Sequence, residues 1–203
     1  MKLAHDPLNI IVSGVGGQGN ILASDLIARA CCDEGYLVSV GETFGATQRG
    51  GSVVSYVRLS QKRLYGPLIP LGECHIMIGF EPLEVYRILR DYGHDSVRVV
   101  MNDRPFYPLD VLQKRSEYPA MDELISYIKL LAADLQIVQG TDLATKAGNP
   151  KAQNVVMVGA VAGLNWIPLG KEGLLKGLEG LFSGTRLEVN RRAFNLGFTI
   201  QVS

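Results

Sequence analysis

The chain has 203 residues, of which 47% are apolar, and its 20 basic and 20 acidic side chains give a formal charge of zero. This length and apolar content fill one domain core and are short for two, so we expect a single domain over residues 1–203. The Lys and Arg residues are scattered, so we predict that the protein does not bind nucleic acid. No apolar run is long enough to span a membrane or forms the core of a signal peptide, so we predict a cytoplasmic protein that does not associate with a membrane.

The first predicted element is a buried strand that meets a glycine cluster and then a helix. The apolar run begins at Ile10, and helical periodicity extends from Asn20 to Glu34, with Gly35 as its stop. The glycines permit a sharp turn, and the N–H groups at the helix start form a cradle for an anion. The spacing satisfies G-x-G-x-x-G, and an acid follows at about the distance of a ribose-binding residue. The candidate cofactor-binding residues are Gly14, Gly16, Gly17, Gln18, Gly19 and Glu42.

A second glycine-bearing loop distinguishes this chain from an ordinary dinucleotide-binding half. Tyr36–Val40 is predicted to be the second parallel strand, yet the chain then runs through this loop into a strand at Ser52 without a helix between them. A guanidinium between glycines can bind a carboxylate or phosphate, and an ordinary surface turn is the alternative. The candidate contacts for a partner chain or an entering coenzyme are Gln48, Arg49, Gly50 and Gly51.

The rest of the chain repeats strand-then-helix units and then becomes helical. Predicted strands are His75–Phe80, Val97–Met101 and Leu135–Val138, with helices starting near Pro82 and Asp122. The segment Val155–Leu164 is apolar on all sides and rich in small residues, which is typical of a core helix. We therefore predict an α/β fold, a mostly parallel, Rossmann-like sheet of βα units with a helical C-terminal third packed on it.

No set of residues in the sequence forms a self-contained active site. The three histidines lack an evident catalytic partner, and the G-x-S-x-G pattern of hydrolases is absent. Cys31 and Cys32 are adjacent on a predicted helix, so they point about 100° apart, and Cys74 stands alone. We predict no catalytic residue, no metal ligand and no iron–sulfur cluster in this chain.

The two glycine loops, the strand Ser52–Arg58 and the closing segment Glu188–Gly197 together resemble one family. This family is the γ-type subunit of 2-oxoacid:ferredoxin oxidoreductases, also called the pyruvate/ketoisovalerate type. Within the family, the motifs most resemble those of the small subunit of the indolepyruvate form. The resemblance implies a complex that oxidatively decarboxylates a 2-oxoacid, such as indolepyruvate or another arylpyruvate, to an acyl-CoA. It implies thiamine diphosphate, iron–sulfur clusters and coenzyme A in the complex, with electrons passing to ferredoxin.

The resemblance also implies how the work is divided between chains. Thiamine diphosphate and the clusters belong to large partner subunits, and the segment Gln48–Gly51 contributes to subunit contact or to the coenzyme A entrance. The alternative is a free-standing, Rossmann-like nucleotide-binding dehydrogenase or ligand-sensing module. Co-purification with a large thiamine- and cluster-bearing chain supports the first hypothesis, whereas a lone chain that retains NAD or FAD supports the second.

Overall fold

The computed structural model describes residues 3–45 and 51–200. The strands are β1 (Leu8–Val15), β2 (Leu37–Phe44), β3 (Ser52–Ser60), β4 (Ile76–Gly79), β5 (Arg98–Asn102) and β6 (Asp134–Val138). The helices are α1 (Asn20–Asp33), α2 (Pro82–Tyr92), α3 (Leu109–Leu112), α4 (Met121–Leu131), α5 (Gly140–Ala147), α6 (Gln153–Gly163), α7 (Lys171–Leu181) and α8 (Gly184–Phe198), with a 3₁₀ turn at Pro150–Ala152. In these two ranges, no helix has the length and apolar character needed to cross a membrane.

The strands form one sheet in the order β2-β3-β1-β4-β5-β6. Strands β1, β4, β5 and β6 are parallel to one another, and β3 is antiparallel to both of its neighbours, β2 and β1. The predicted mostly parallel α/β sheet is therefore confirmed. The prediction of Tyr36–Val40 as the second parallel strand was wrong in its pairing, because β3 lies between β2 and β1. The connection between β2 and β3 is too short for a parallel crossover, so β3 must return antiparallel.

Helices cover the sheet on both faces. Ile10 and Val12 of β1 face the core formed with α1 and α6, whereas Ile11 faces the core formed with α2 and α4. Because both faces of β1 are buried, its sequence is almost continuously apolar. The helix after β1 and the helix after β4 pack on opposite faces of the sheet. The connections that follow these two neighbouring strands therefore separate and leave a crevice at the carboxyl ends of the strands, which is where open α/β sheets bind ligands.

The C-terminal third is helical, as predicted. Every residue of α6 from Asn154 to Ala162 is buried, and α8 packs closely along this helix. Glycines permit the close approach, since a Cβ on Gly197 would lie 2.0 Å from the Val156 carbonyl oxygen. The apolar, small-residue character of α6 is thus explained by burial inside the protein.

Candidate functional site: the crevice at the strand carboxyl ends

The glycine turn between β1 and α1 borders the crevice. Gly17 and Gly19 have left-handed backbone angles, with φ of 97° and 88°, which favour glycine. A Cβ on Gly14 would lie 2.9 Å from Cβ of Phe80, and one on Gly19 would lie 2.4 Å from Nδ2 of Asn154, so these two glycines permit internal packing. A Cβ on Gly17 would meet nothing within 4 Å. At Gly17 the missing side chain therefore leaves open space.

Gln18 folds back and fastens the turn to the neighbouring strand. Its Oε1 accepts the N–H of Val15 at 2.7 Å, and its Nε2 donates to the carbonyl oxygen of Phe80 at 3.3 Å. Both ends of the side-chain amide are thus engaged within the protein. The predicted role of Gln18 in ligand binding stays a prediction, and its observed role is to hold the turn against the end of β4.

Three buried asparagines, which the sequence analysis did not single out, join the elements around the crevice. Asn20 donates to the carbonyl oxygen of Val53 at 3.2 Å, and Asn154 donates to that of Gly19 at 3.3 Å. Asn102 accepts the N–H of Gly140 at 2.9 Å while its Nδ2 lies 3.3 Å from the Phe80 carbonyl oxygen. All three are at most 4% exposed. Their amides join backbone groups of segments that are distant along the chain.

A groove of about 450 Å³ opens on one side of the glycine turn. One wall is Gly16, Gly17 and Gln18, the floor includes Asn102 and Thr141, and the other walls carry Arg104, Pro105, Phe106, Pro150, Lys151 and Gln153. The start of α1 has no side-chain cap, and its first backbone bond runs from Ala23 to Gly19. Arg104 and Lys151 make this groove cationic, which favours an anionic ligand such as a phosphate. The residues at the start of α1, Gly19 to Ile21, line the other side of the turn.

A second groove, of about 330 Å³, lies on the other side of the same turn and is more apolar. Ile21, Phe44 and Val53 line it next to Gly17 and Gly19. Phe44 is 61% exposed. The turn therefore separates a polar, cationic groove from an apolar one.

The second glycine loop reaches the turn at its last residue. The carbonyl oxygen of Gly51 accepts the N–H of Gly16 at 3.0 Å. Gln48, Arg49 and Gly50 lie outside the described residues, so their predicted contacts stay predictions.

Glu42 occupies a different place from a ribose-binding acid. It lies within β2 opposite Ser55 of β3, not after the strand. Because β3 separates β2 from β1, Glu42 is about 10 Å from β1 across the sheet, two strand spacings away. It lines neither groove beside the turn. A ligand contact by Glu42 stays a prediction, and the inserted strand β3 separates Glu42 from the glycine turn.

The three histidines meet at the opposite, amino edge of the sheet. The rings of His5 and His75 stack at 4.0 Å between centroids, and His94 packs edge-on to His75 at 5.7 Å. Nδ1 of His75 accepts the N–H of Asn9 at 2.9 Å, and burial lowers the pKa of His75 to about 4. Among the described residues, no group of three or more His, Cys, Asp or Glu side chains is placed to hold a metal ion.

Comparison with known proteins gives consistent matches over nearly the whole chain. A family model described as pyruvate ferredoxin/flavodoxin oxidoreductase matches residues 9–200. The chain is 35% identical to indolepyruvate oxidoreductase subunit IorB of Archaeoglobus fulgidus, over 97% of this chain and 96% of that protein. It is 23% identical to the pyruvate/ketoisovalerate oxidoreductases common subunit gamma of Pyrococcus abyssi, over 94% and 95% of the two chains.

Solved structures share the fold. Pyruvate oxidoreductase subunit PORC of Thermotoga maritima matches with a TM-score of 0.68 at 19% identity, covering 96% of each chain. The 2-oxoglutarate:ferredoxin oxidoreductase of Magnetococcus marinus, solved with 2-oxoglutarate, coenzyme A and succinyl-CoA bound, matches with a TM-score of 0.72 at 23% identity. That match covers 98% of this chain and 32% of the longer one, so this chain spans about a third of that protein's length.

Proposed function

We propose that this chain, which belongs to the pyruvate ferredoxin/flavodoxin oxidoreductase family, is the small subunit of a 2-oxoacid:ferredoxin oxidoreductase. The complex would oxidatively decarboxylate a 2-oxoacid to an acyl-CoA and pass the electrons to ferredoxin. Indolepyruvate or another arylpyruvate is the proposed substrate, because the identity to an indolepyruvate oxidoreductase subunit is 35%, against 23% for a pyruvate/ketoisovalerate subunit. Large partner subunits would hold the thiamine diphosphate, which supplies the decarboxylation chemistry.

The iron–sulfur clusters of such a complex belong in another chain. Cys31 lies in the core on the α1 face of the sheet, and Cys74 lies in the core on the opposite face. Cys32 is exposed on α1. A cluster needs about four thiolates gathered at one point, and these three cysteines do not fit that requirement.

The role proposed for this chain is to bind an anionic group of coenzyme A at the glycine turn. The observation that carries the proposal is the open space at Gly17, in a groove that also presents Arg104 and Lys151. Coenzyme A carries phosphates, which the two cationic side chains of this groove can bind. The related fold in Magnetococcus marinus was solved with coenzyme A bound, which supports this choice of ligand.

Calorimetric titration of coenzyme A into the assembled complex tests the role. Arg104→Ala and Lys151→Ala should each raise the dissociation constant by about tenfold, because each removes a charge-assisted contact to phosphate. Lys176→Ala is a matched control, since Lys176 is an exposed cation on α7 away from the groove. Equal affinities for the two groove variants and the control would contradict the role.

The second loop is the proposed contact with the partner subunit. Arg49→Ala should weaken assembly or turnover far more than it lowers the melting temperature of the isolated chain, because an Arg buried at an interface leaves its anionic partner unpaired when it is removed. Normal assembly and turnover combined with a destabilised isolated chain would assign Arg49 to the fold instead. The isolated chain should be colourless and without oxidoreductase activity.

A further inference from the structure

A buried carboxylate lies directly behind the cationic groove. Glu81 follows β4 by two residues and is 2% exposed. Its Oε2 accepts the N–H of Glu84 at 2.8 Å, which caps the start of α2. Its Oε1 accepts the hydroxyl of Tyr118 at 2.5 Å and the N–H of Phe106 at 3.3 Å. One carboxylate therefore joins α2 to two distant points of the chain.

Both of the distant donors belong to the connection between β5 and α4, residues 103–120, which we call the strap. The short helix α3 within the strap has no buried residue, and Leu109 and Leu112 are each 66% exposed. The body of the strap is thus not held by the core. The strap's contacts with the rest of the protein include the two bonds to Glu81, the packing of Tyr118 against the core, and the bond from the N–H of Asp103 to the Val138 carbonyl at 3.0 Å. Within the strap, the Tyr107 and Tyr118 rings pack edge-on at 5.2 Å.

The strap forms the wall of the groove that faces the glycine turn. Arg104 and Phe106 of the strap line the groove, and the N–H of Phe106 is itself one of the donors to Glu81. The glycine turn is held separately, through Gln18 and the Phe80 carbonyl oxygen. Release of the strap would therefore move one wall of the groove and leave the other in place.

We propose that Glu81 is a positioning residue that, through Tyr118 and Phe106, holds the strap so that Arg104 and Phe106 face the ligand at the glycine turn. The identity of that ligand as coenzyme A rests on the proposed function. A carboxylate suits this task because it accepts several hydrogen bonds and offers no competing donor. Burial raises the pKa of Glu81, whereas its three donors act in the opposite sense and favour the anion.

The test replaces Tyr118 by Phe in the assembled complex, which removes one donor and keeps the ring. Coenzyme A affinity by calorimetry should fall by about fivefold, while the KM for indolepyruvate stays unchanged, because one of the strap's bonds to a charged acceptor is lost. Tyr127→Phe is the matched control. The Tyr127 hydroxyl donates to Glu123 at 3.0 Å on the exposed side of α4, so this variant also loses a Tyr–Glu bond but not one at the groove.

Hydrogen exchange gives a readout that does not depend on the ligand. Tyr118→Phe should speed amide exchange in residues 103–120 and leave the glycine turn unchanged, and Tyr127→Phe should alter neither. Unchanged exchange in the strap would overturn the positioning role whatever coenzyme A does.

A double-mutant cycle separates this inference from the proposed function. If Tyr118 acts through Arg104, Tyr118→Phe should add little to the affinity loss of Arg104→Ala. Loss of affinity in Arg104→Ala but not in Tyr118→Phe would overturn the role of Glu81 and leave the proposed function standing. Faster strap exchange in Tyr118→Phe, with wild-type affinity in both Arg104→Ala and Lys151→Ala, would support Glu81 as the residue that holds the strap and contradict coenzyme A as the ligand.

Discussion

The glycine turn and the helix pair α6–α8 use the same residue type in different ways. A Cβ on Gly159 or Gly197 of the helix pair would lie 2.3 or 2.0 Å from a backbone oxygen of the facing helix. A Cβ on Gly17 of the turn would have nothing within 4 Å. The helix glycines are therefore required by contacts inside the protein, and Gly17 leaves space that a ligand can enter. Glycine spacing alone does not identify the glycines that packing requires; the surroundings of each Cα do.

A hydrogen bond joins the two regions. Asn154 near the start of α6 donates to the carbonyl oxygen of Gly19, the residue that precedes α1. The tightly packed helix pair thus supports one end of the turn. Stability and ligand affinity should therefore separate in variants far from this contact and change together in variants at it.

The largest expected effect on stability is that of Gly197→Ala. The added methyl would overlap the Val156 carbonyl oxygen, so the free energy of unfolding should fall by about 3 kcal/mol through overpacking. Gly180→Ala is the control, because Gly180 lies in α7 with nothing within 4 Å of a built Cβ. That control should be neutral or stabilising by about 0.5–1 kcal/mol, as expected for Ala in a helix. Denaturant unfolding of the isolated chain measures both, and equal effects would mean that the helix pair tolerates a wider spacing.

The histidine cluster, like the helix glycines, is held by contacts inside the protein. Burial, aided by His5, His94 and Arg58, lowers the pKa of His75 from 6.5 to about 4. Below pH 6.5 the unfolded chain therefore takes up a proton at His75 that the folded chain resists. The stability that neutral His75 contributes is present above pH 6.5 and is lost as the pH falls toward 4. We expect about 2 kcal/mol to be lost over that interval, allowing for partial exposure.

The check on the histidine prediction is the pH slope of stability. His75→Asn keeps a side-chain acceptor near the N–H of Asn9 but does not titrate, so its slope between pH 6.5 and 4 should be shallower than that of the wild type. His94→Gln should keep most of the wild-type slope. Identical slopes for the wild type and His75→Asn would show that His75 does not contribute to acid sensitivity.

Asn154→Ala should have a smaller effect, on both stability and coenzyme A affinity. Loss of its bond to Gly19 should lower the free energy of unfolding by about 1 kcal/mol, because the Gly19 carbonyl oxygen keeps the N–H of Ala23 as its other donor. Because the same bond supports the turn, coenzyme A binding to the complex should weaken as well. Lowered stability with unchanged affinity would confine Asn154 to the helix pair.

The sequence predicted those parts of the fold that depend on local periodicity. The βα units, the turn before α1 and the buried helix α6 follow from apolar spacing and from glycine or proline at element ends. The insertion of β3 between β2 and β1 was missed, because periodicity identifies a strand but not its neighbour. The roles of Asn20, Asn102 and Asn154 were also missed, since each joins segments distant along the chain. One local signal was available at Asn102, a polar residue at the carboxyl end of a predicted strand.

If the open side of the glycine turn binds coenzyme A, Gly17→Ala should weaken that binding. The substitution should cost only about 1–2 kcal/mol of stability, from the left-handed backbone angle, because its Cβ meets no protein atom. Calorimetric titration of coenzyme A into assembled complexes should show at least about tenfold weaker binding for Gly17→Ala than for wild type. Gly197→Ala, measured where it remains folded, should bind as the wild type does. Wild-type affinity in Gly17→Ala would contradict coenzyme A binding at the turn.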